Sequence, residues 1–277
     1  MGCDIPSETL CEWQVACIPL HFAFTDDNME HTDMDISDFY REMRAGRYAR
    51  TSSANRETYE NAFREELRQG RDVLYIGFSS GLSGSVHIAE MTAQDLQKEF
   101  PERRVAVLDT KCGSAGLGLL VKLAVDRRDQ GADFATLCAY VSENAPRMNH
   151  WFTVDDLLHL RRGGRLKPTA AIIGTILQIK PVLHMDNAGS LQAVSKVRGR
   201  KAAIRALCDK FSAAAELTKD TLYAISHGDC LEDALSLQSL IQKRTGRPAA
   251  LLLPIGPVIG AHSGPDTLAL YFLGAER

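Results

Sequence analysis

The feature of this sequence that most restricts its fold is the stretch DVLYIGFSSGLSGS at residues 72–85. Its first seven residues form a short apolar run rich in β-forming side chains, which predicts a buried strand. Residues 86–100 then carry apolar side chains at helical spacing, so a helix is predicted to follow. A strand, a short loop and a helix in this order are the building unit of an α/β sheet protein.

The loop between this strand and this helix is rich in hydroxyl groups. It contains Ser79, Ser80, Ser83 and Ser85 together with two glycines. In open α/β sheets, ligands bind at the carboxyl ends of strands, where helix N-termini favour anions. Serine hydroxyls add hydrogen-bond donors. We interpret the loop as an anion site; the alternative is that its serines only cap the helix and shape the turn.

Composition argues against several classes of protein. Charged residues make up 24% of the 277 residues and the formal net charge is −3, so there is no basic excess for binding nucleic acid. No apolar run reaches the ~18 residues of a membrane span, and the first ten residues do not read as a signal peptide. The seven cysteines include no C-x-x-C pair. We therefore expect a cytoplasmic protein with reduced thiols, no metal, no cofactor and no stable membrane insertion.

The predicted elements divide the chain into two parts. In the first part strands alternate with helices, which predicts a Rossmann-like α/β domain with a mainly parallel sheet. This part contains a second hydroxyl-rich segment, RTSSAN at residues 50–55, which we predict to be a loop. Pro146 interrupts the pattern, and we place an N-terminal domain at residues 1–148 and a second α/β domain at residues 149–277. The second part includes a predicted β-hairpin around the turn DNAGS.

Several motifs follow one another along the chain: RTSSAN, FSSGLSGS, LRRGGRL before LQIKPVL, KVRGRKAA and GPVIGAHSGP. In this order the chain resembles the DegV family of bacterial fatty-acid-binding proteins over nearly its whole length. The resemblance implies two α/β domains that hold one long-chain fatty acid between them, without catalysis by the protein itself. It also implies a partner. In Gram-positive bacteria such proteins are carriers for fatty acid kinase, whose catalytic subunit phosphorylates the bound acid for phospholipid synthesis.

The resemblance implies roles for individual residues. Those expected at the carboxylate are Thr51, Ser52, Ser79, Ser80, Ser83 and His262. Thr51 matches the threonine that binds the carboxylate, and Ser83 is our preferred direct contact within the serine motif. His262 matches the histidine of the G-x-H-x-G-P loop near the head group. Arg165 matches the arginine of the GGR segment and is expected, with Arg162, to face the kinase.

The sequence departs from the family pattern in three places. Members open with a strand that ends in Asp–Ser before a segment like GCDIP, whereas this sequence starts at that segment. Residues 52–54 read Ser-Ser-Ala where the family has Ser-Gln-Pro. Asp266 stands where the family has glycine after G-P, and we expect its carboxylate either to weaken anion binding or to point to solvent.

A fatty acid also requires a long apolar tunnel. Burial is worth about 0.8 kcal/mol per methylene, so roughly fifteen methylenes supply on the order of 12 kcal/mol before association costs. A hydrogen bond to a charged group adds only about 1.5–3 kcal/mol. The tail would therefore set affinity and the hydroxyls orientation. The tunnel candidates come from an almost wholly apolar segment: Ile172, Ile173, Ile176 and Leu177.

Two other functions fit parts of the sequence. Residues 77–81 match the G-x-S-x-G nucleophile elbow, which makes Ser79 a candidate nucleophile of a serine hydrolase with His262 and either Asp229 or Asp233. Against this alternative, LSGS separates the motif from its helix and no H-G-G-G-type segment is present. A phosphosugar or nucleotide binder could use the same anion loops, but the chain lacks both glycine-rich phosphate motifs. We predict a lipid carrier rather than an enzyme.

Overall fold

The computed structural model describes residues 2–27, 29–31, 34–166, 178–215 and 221–277. The first part of the chain forms, in order, α1 (Ser7–Glu12), β1 (His21–Phe24), α2 (Ile36–Arg44), β2 (Ala49–Ser52), α3 (Arg56–Arg68), β3 (Val73–Phe78), α4 (Ser85–Glu99), β4 (Val105–Cys112), α5 (Ser114–Asp129) and α6 (Phe134–Asn144). The second part forms β5 (Met148–Thr153), α7 (Leu158–Arg162), β6 (Ile179–Met185), β7 (Leu191–Arg198), α8 (Arg200–Ala214), β8 (Tyr223–His227), α9 (Leu231–Thr245), β9 (Leu251–Pro254), α10 (Pro257–Ser263) and β10 (Leu268–Leu273).

A six-stranded sheet dominates the second part, with the strand order β7-β6-β5-β10-β8-β9. The last strand, β10, lies in its middle and pairs antiparallel with both β5 and β8, whereas β8 and β9 pair in parallel. Side chains along β10 alternate between two buried layers, as the period of a strand requires. Leu268, Leu270 and Phe272 pack with α8 and α9, while Ala269 and Tyr271 face the layer that contains α5.

The first part contains two smaller strand pairs. β3 and β4 pair in parallel and are joined by α4, which is the predicted strand–helix–strand unit. β1 and β2 form a separate antiparallel pair, because β2 runs back along β1 after α2. The mixed α/β class is confirmed. Within the described ranges, however, parallel pairing in this part joins only β3 and β4, so the sheet is less continuous than the strand–helix alternation predicted.

Two local predictions near the site were wrong. Residues 50–52 of RTSSAN are not loop but strand, because they pair with β1 and place Thr51 opposite Phe22. Residues 257–263, which are rich in glycine and proline, form helix α10. Pro257 is compatible with this helix because it stands in the first turn, where a missing N–H removes no helical hydrogen bond.

Helix α5 connects the two parts of the core. It contacts β5, β8 and β10, and three of its leucines (Leu117, Leu119 and Leu120) are buried in the same cluster as Phe152 and Ala269. Gly116 permits the close approach, since a Cβ there would lie 2.4 Å from His150 Nε2. All seven cysteines are free in this structure. Within the described ranges, no helix has the length and apolar character to cross a membrane, and no three potential metal ligands cluster together.

Candidate functional site

A cavity lies between α10, β2, the loop after β3 and the face of the six-stranded sheet that carries Ala269 and Tyr271. Its apolar lining consists of Leu20, Phe78, Leu82, Phe152, Leu160, Met185, Leu191, Ile255, Val258, Ile259 and Ala269. Its polar lining consists of Thr51, Ser52, Ser53, Ser83, Ser114, His150, Arg165, His262, Ser263, Thr267 and Tyr271. The structure thus brings five predicted site residues to one cavity: Thr51, Ser52, Ser83, Arg165 and His262.

Thr51 and His262 are in direct contact, because α10 packs against β2. Thr51 Oγ1 lies 2.7 Å from His262 Nε2, and His262 Nδ1 is buried without a hydrogen-bond partner in the described structure. Burial, with a smaller effect of the nearby Arg165 charge, lowers the pKa of His262 to about 4, so the ring is neutral at neutral pH. We place its hydrogen on Nε2, where it has an acceptor in Thr51. The Thr51 hydroxyl hydrogen is then free for a ligand.

The segment after α7 fixes His262 from the other side. A Cβ on Gly163 would lie 2.2 Å from His262 Nδ1, so only glycine leaves room for the ring in this position. Arg165 follows closely and donates to the carbonyl oxygens of Gly163, at 2.5 Å, and Leu82, at 3.2 Å. The Gly-Gly-Arg segment therefore joins His262 to the serine-rich loop.

Three serines form a hydroxyl cluster, which we define as Ser53, Ser83 and Ser85. The Oγ distances are 2.7 Å between Ser83 and Ser85, 3.2 Å between Ser85 and Ser53, and 3.3 Å between Ser53 and Ser83. Helix α4 begins at Ser85, so the positive end of its dipole also points here. Ser83 was our preferred contact to the carboxylate. Ser53 and Ser85 were not assigned to the carboxylate site, although Ser53 lies in RTSSAN and Ser85 in FSSGLSGS.

Ser79 and Ser80 lie outside this cavity lining. Ser79 is fully buried, and its hydroxyl donates to the carbonyl oxygen of Gly189 at 2.8 Å. The Ser80 hydroxyl accepts from Lys111 Nζ, and its backbone N–H donates to Asp109 at 3.2 Å. Both residues therefore attach the serine-rich loop to its neighbours, Ser79 to the turn between β6 and β7 and Ser80 to the end of β4.

The structure does not assemble the residues of the hydrolase alternative. Ser79 donates to Gly189, and His262 contacts Thr51. Of the two candidate acids, Asp229 accepts from Arg44 Nε at 3.0 Å and Asp233 accepts from Arg200 Nε at 2.7 Å. Because each member of the proposed triad has a different partner, no Ser–His–Asp chain is formed.

The remaining predicted residues occupy three different situations. The Ser52 hydroxyl donates to Glu30 at 3.0 Å. Arg162 is exposed, and its guanidinium lies 3.8 Å from the centre of the Tyr48 ring. The proposed tunnel residues lie outside the described residues: Ile172, Ile173, Ile176 and Leu177.

Asp266, one of the three departures from the family pattern, forms an ion pair with Arg44. Both of its carboxylate oxygens accept from the guanidinium of Arg44, at 2.8 and 3.0 Å. Its side chain therefore has a partner on α2, and Asp266 is not among the residues that line the cavity.

A buried polar network supports the deep wall of the cavity and was not predicted. Tyr271 donates to Ser114 at 2.8 Å, Ser114 donates to Asp4, and Asp4 also accepts from the backbone of Gly256 at 3.0 Å. Burial raises the pKa of Asp4 to about 6. Nothing in the sequence indicated this network, because each of its hydrogen bonds joins residues more than a hundred positions apart and no motif links them.

Comparison with solved structures supports this architecture. A DegV family protein from Thermus thermophilus, whose structure is described as showing fatty acid binding, superimposes with a TM-score of 0.87 at 27% identity, over 98% of this chain and 96% of that chain. DegV from Bacillus subtilis, described as a fatty acid binding protein, superimposes with a TM-score of 0.80 at 26% identity, over 99% of this chain and 96% of that chain.

Sequence comparison agrees with the structural comparison. A DegV domain-containing protein of Clostridium perfringens is 36% identical over 256 residues, which cover 91% of this chain and 88% of the relative. Another, from Lactococcus lactis, is 33% identical over 255 residues, which cover 91% of this chain and 87% of the relative. The family model described as "uncharacterised protein, DegV family" matches residues 2–275. The chain therefore belongs to the DegV family, as its motifs predicted.

Proposed function

We propose that this protein binds one long-chain fatty acid in the cavity. Thr51 and the hydroxyl cluster hold the carboxylate, and the apolar side chains of the lining surround the tail. The observation that carries the proposal is the Thr51–His262 contact, which leaves a hydroxyl donor free at a largely apolar cavity. Support also comes from the two DegV family proteins from T. thermophilus and B. subtilis, which are described as binding fatty acids.

The site suits a carboxylate because it offers donors and positive potential. The hydroxyls of Thr51 and the cluster can turn their hydrogens toward a ligand, and the N-terminus of α4 adds to them. Arg165 lines the same cavity and supplies a fixed positive charge. A neutral His262 orients Thr51 without adding a second charge. The affinity comes mainly from the buried tail, at about 0.8 kcal/mol per methylene.

The second part of the proposal is that the protein presents its bound acid to the catalytic subunit of a fatty acid kinase in the cytoplasm. The motif resemblance supports this role. Arg162 is exposed and directly precedes Gly163, which packs on His262. The charge of Arg162 is therefore available beside the proposed head group. We assign phosphoryl transfer to the partner and not to this chain. We further propose a division into domains 1–148 and 149–277, since the strands of the six-stranded sheet all begin at or after Met148.

The binding proposal is tested with delipidated protein and two substitutions at one residue. Thr51→Val keeps the shape of the side chain but removes its hydroxyl, whereas Thr51→Ser keeps the hydroxyl. Calorimetric titration with palmitic acid should give one site in the wild type, with affinity about tenfold or more lower in Thr51→Val and nearly unchanged in Thr51→Ser. Equal affinities of wild type and Thr51→Val would exclude Thr51 as the carboxylate ligand.

The kinase proposal needs a separate assay, which measures acyl phosphate formed by a bacterial fatty acid kinase catalytic subunit. Arg162→Ala should lower the rate at a given carrier concentration while leaving palmitic acid affinity unchanged. Arg127→Ala, near the C-terminal end of α5, is the matched control, since Arg127 is likewise exposed and lies over a tyrosine ring, and it should keep the wild-type rate. If the wild-type protein supports no acyl phosphate formation with any such kinase, the carrier role is wrong although binding can still hold.

A further inference from the structure

Ser263 ends helix α10 directly after His262, and its hydroxyl is unsatisfied. The residue lines the cavity and is only 6% exposed. Its Oγ is buried and has no hydrogen-bond partner in the part of the chain that the structure describes. Its backbone carbonyl, by contrast, accepts from Thr267 Oγ1 at 3.0 Å. A buried hydroxyl without a partner destabilises a protein, so an unpaired one at a binding cavity calls for a ligand.

The neighbouring hydroxyl groups of the cavity at Thr267, Tyr271 and Ser114 have partners within the protein. Thr267 donates to the carbonyl oxygens of Ser263 and Gly264. Tyr271 and Ser114 belong to the network that ends on Asp4. A serine near the end of a helix commonly donates to the carbonyl four residues earlier, yet this bond is absent at Ser263. Its hydroxyl is therefore left for a group inside the cavity.

We propose that Ser263 is a further carboxylate-binding residue, which donates a hydrogen bond to the head group of the bound fatty acid. The inference rests on the proposed function. An unsubstituted fatty acid has polar atoms only at its carboxylate, so a hydroxyl in this cavity can find a partner on the ligand nowhere else. Ser263 also stands next to His262, whose ring contacts Thr51, the residue assigned to the same head group.

This assignment places donors on both sides of the carboxylate. Thr51 and the hydroxyl cluster come from the first part of the chain, whereas Ser263 comes from α10 in the second part. A ligand with two acceptor oxygens satisfies both sets, but a primary alcohol has a single oxygen. Ser263 therefore acts as a specificity residue that favours fatty acids over alcohols of the same length.

The test compares Ser263→Ala with the wild type in affinity for palmitic acid, in affinity for the corresponding alcohol, and in thermal stability without ligand. We expect about tenfold or greater loss of acid affinity, the effect of one hydrogen bond to a charged group, and little change for the alcohol. We also expect unchanged or higher stability of the unliganded variant, because an unpaired buried hydroxyl is removed. Ser212→Ala on α8 is the control for the loss of a serine hydroxyl. That hydroxyl donates to the carbonyl oxygen of Cys208 at 3.0 Å, and Ser212 does not line the cavity.

Each other outcome contradicts the inference in a recognisable way. Equal loss for acid and alcohol would mean that Ser263 does not distinguish a carboxylate from a hydroxyl, which contradicts its role as a specificity residue. A loss of unliganded stability would mean that the hydroxyl has a structural partner. If the wild type binds palmitic acid and Ser263→Ala binds it equally well, only the role of Ser263 fails. If the wild type binds neither ligand, the proposed function itself fails.

Discussion

Gly163 and His262 pack so closely that a Cβ at residue 163 would lie 2.2 Å from the imidazole Nδ1. The ring is also held at Nε2 by Thr51, so it has no space to retreat without breaking that contact. The glycine after α7 therefore determines where Thr51 directs its hydroxyl. This relationship links a backbone position to the orientation of the proposed carboxylate ligand.

Gly163→Ala is expected to weaken fatty acid binding about tenfold, since displacement of His262 removes the orienting partner of Thr51. Gly131→Ala is the control because Gly131 has φ +90° but a Cβ there would meet no atom within 4 Å. It should lower the free energy of unfolding by about 1 kcal/mol without changing affinity. Unchanged palmitic acid affinity in Gly163→Ala would show that the position of His262 does not matter for binding.

The stability of the unliganded protein should depend on pH through His262. Burial and the Arg165 charge lower its pKa from 6.5 to about 4, so between these values the unfolded chain binds more protons than the folded protein. Stability from this residue is thus complete above pH 6.5 and is lost as the pH falls toward 4. Between pH 7 and pH 5, the free energy of unfolding measured in urea should fall by about 1–2 kcal/mol less in His262→Gln than in the wild type. Identical losses would mean that the pKa of His262 is the same in the folded protein and in the unfolded chain.

Ser83 and Ser80 should respond differently to the same substitution. Ser83 belongs to the hydroxyl cluster at the cavity, so Ser83→Ala should lower palmitic acid affinity about tenfold. Ser80→Ala removes a hydroxyl that contacts Lys111 outside the cavity lining, and its affinity should stay within twofold of the wild type. A larger loss of affinity in Ser80→Ala than in Ser83→Ala would place the head group at the first serines of the loop.

Ser79 should behave as a structural residue. Its substitution by alanine leaves the Gly189 carbonyl without its donor, which should cost about 1–3 kcal/mol of unfolding free energy. A fluorophosphonate probe should not label Ser79, because the residue is fully buried and has no histidine partner among the described residues. Covalent labelling at Ser79, found by peptide mass spectrometry, would contradict this structural role and support the hydrolase alternative.

The parts of the fold that were predicted correctly are those with strong local patterns. The alternation of strands and helices in the first part followed from apolar periodicity, and the strand and helix predicted within residues 72–100 are present as β3 and α4. Helix α10 was missed because glycine and proline normally mark loops. Its formation depends on packing against β2 and α7, which no local pattern encodes.

The site was predictable only through its motifs. Thr51 and His262 are separated by 211 residues, and only the resemblance to the family indicated that both belong to one site. Composition could not separate Ser83 from Ser79, since the loop's path depends on a register shift after Gly77 and on contact with Gly189. Ser263 stands at a position whose residue type the G-x-H-x-G-P motif does not specify, and its significance comes only from the absence of a partner among the described residues.

The most direct test of the central claim is native mass spectrometry of the delipidated protein titrated with palmitic acid, followed by release and identification of the bound lipid. We predict one bound acid per chain at saturation, with occupancy reduced in Thr51→Val but retained in Thr51→Ser. A wild-type protein that stays unbound across the titration, or that binds several acids with no difference between the two Thr51 variants, would contradict a single carboxylate-anchored fatty acid site.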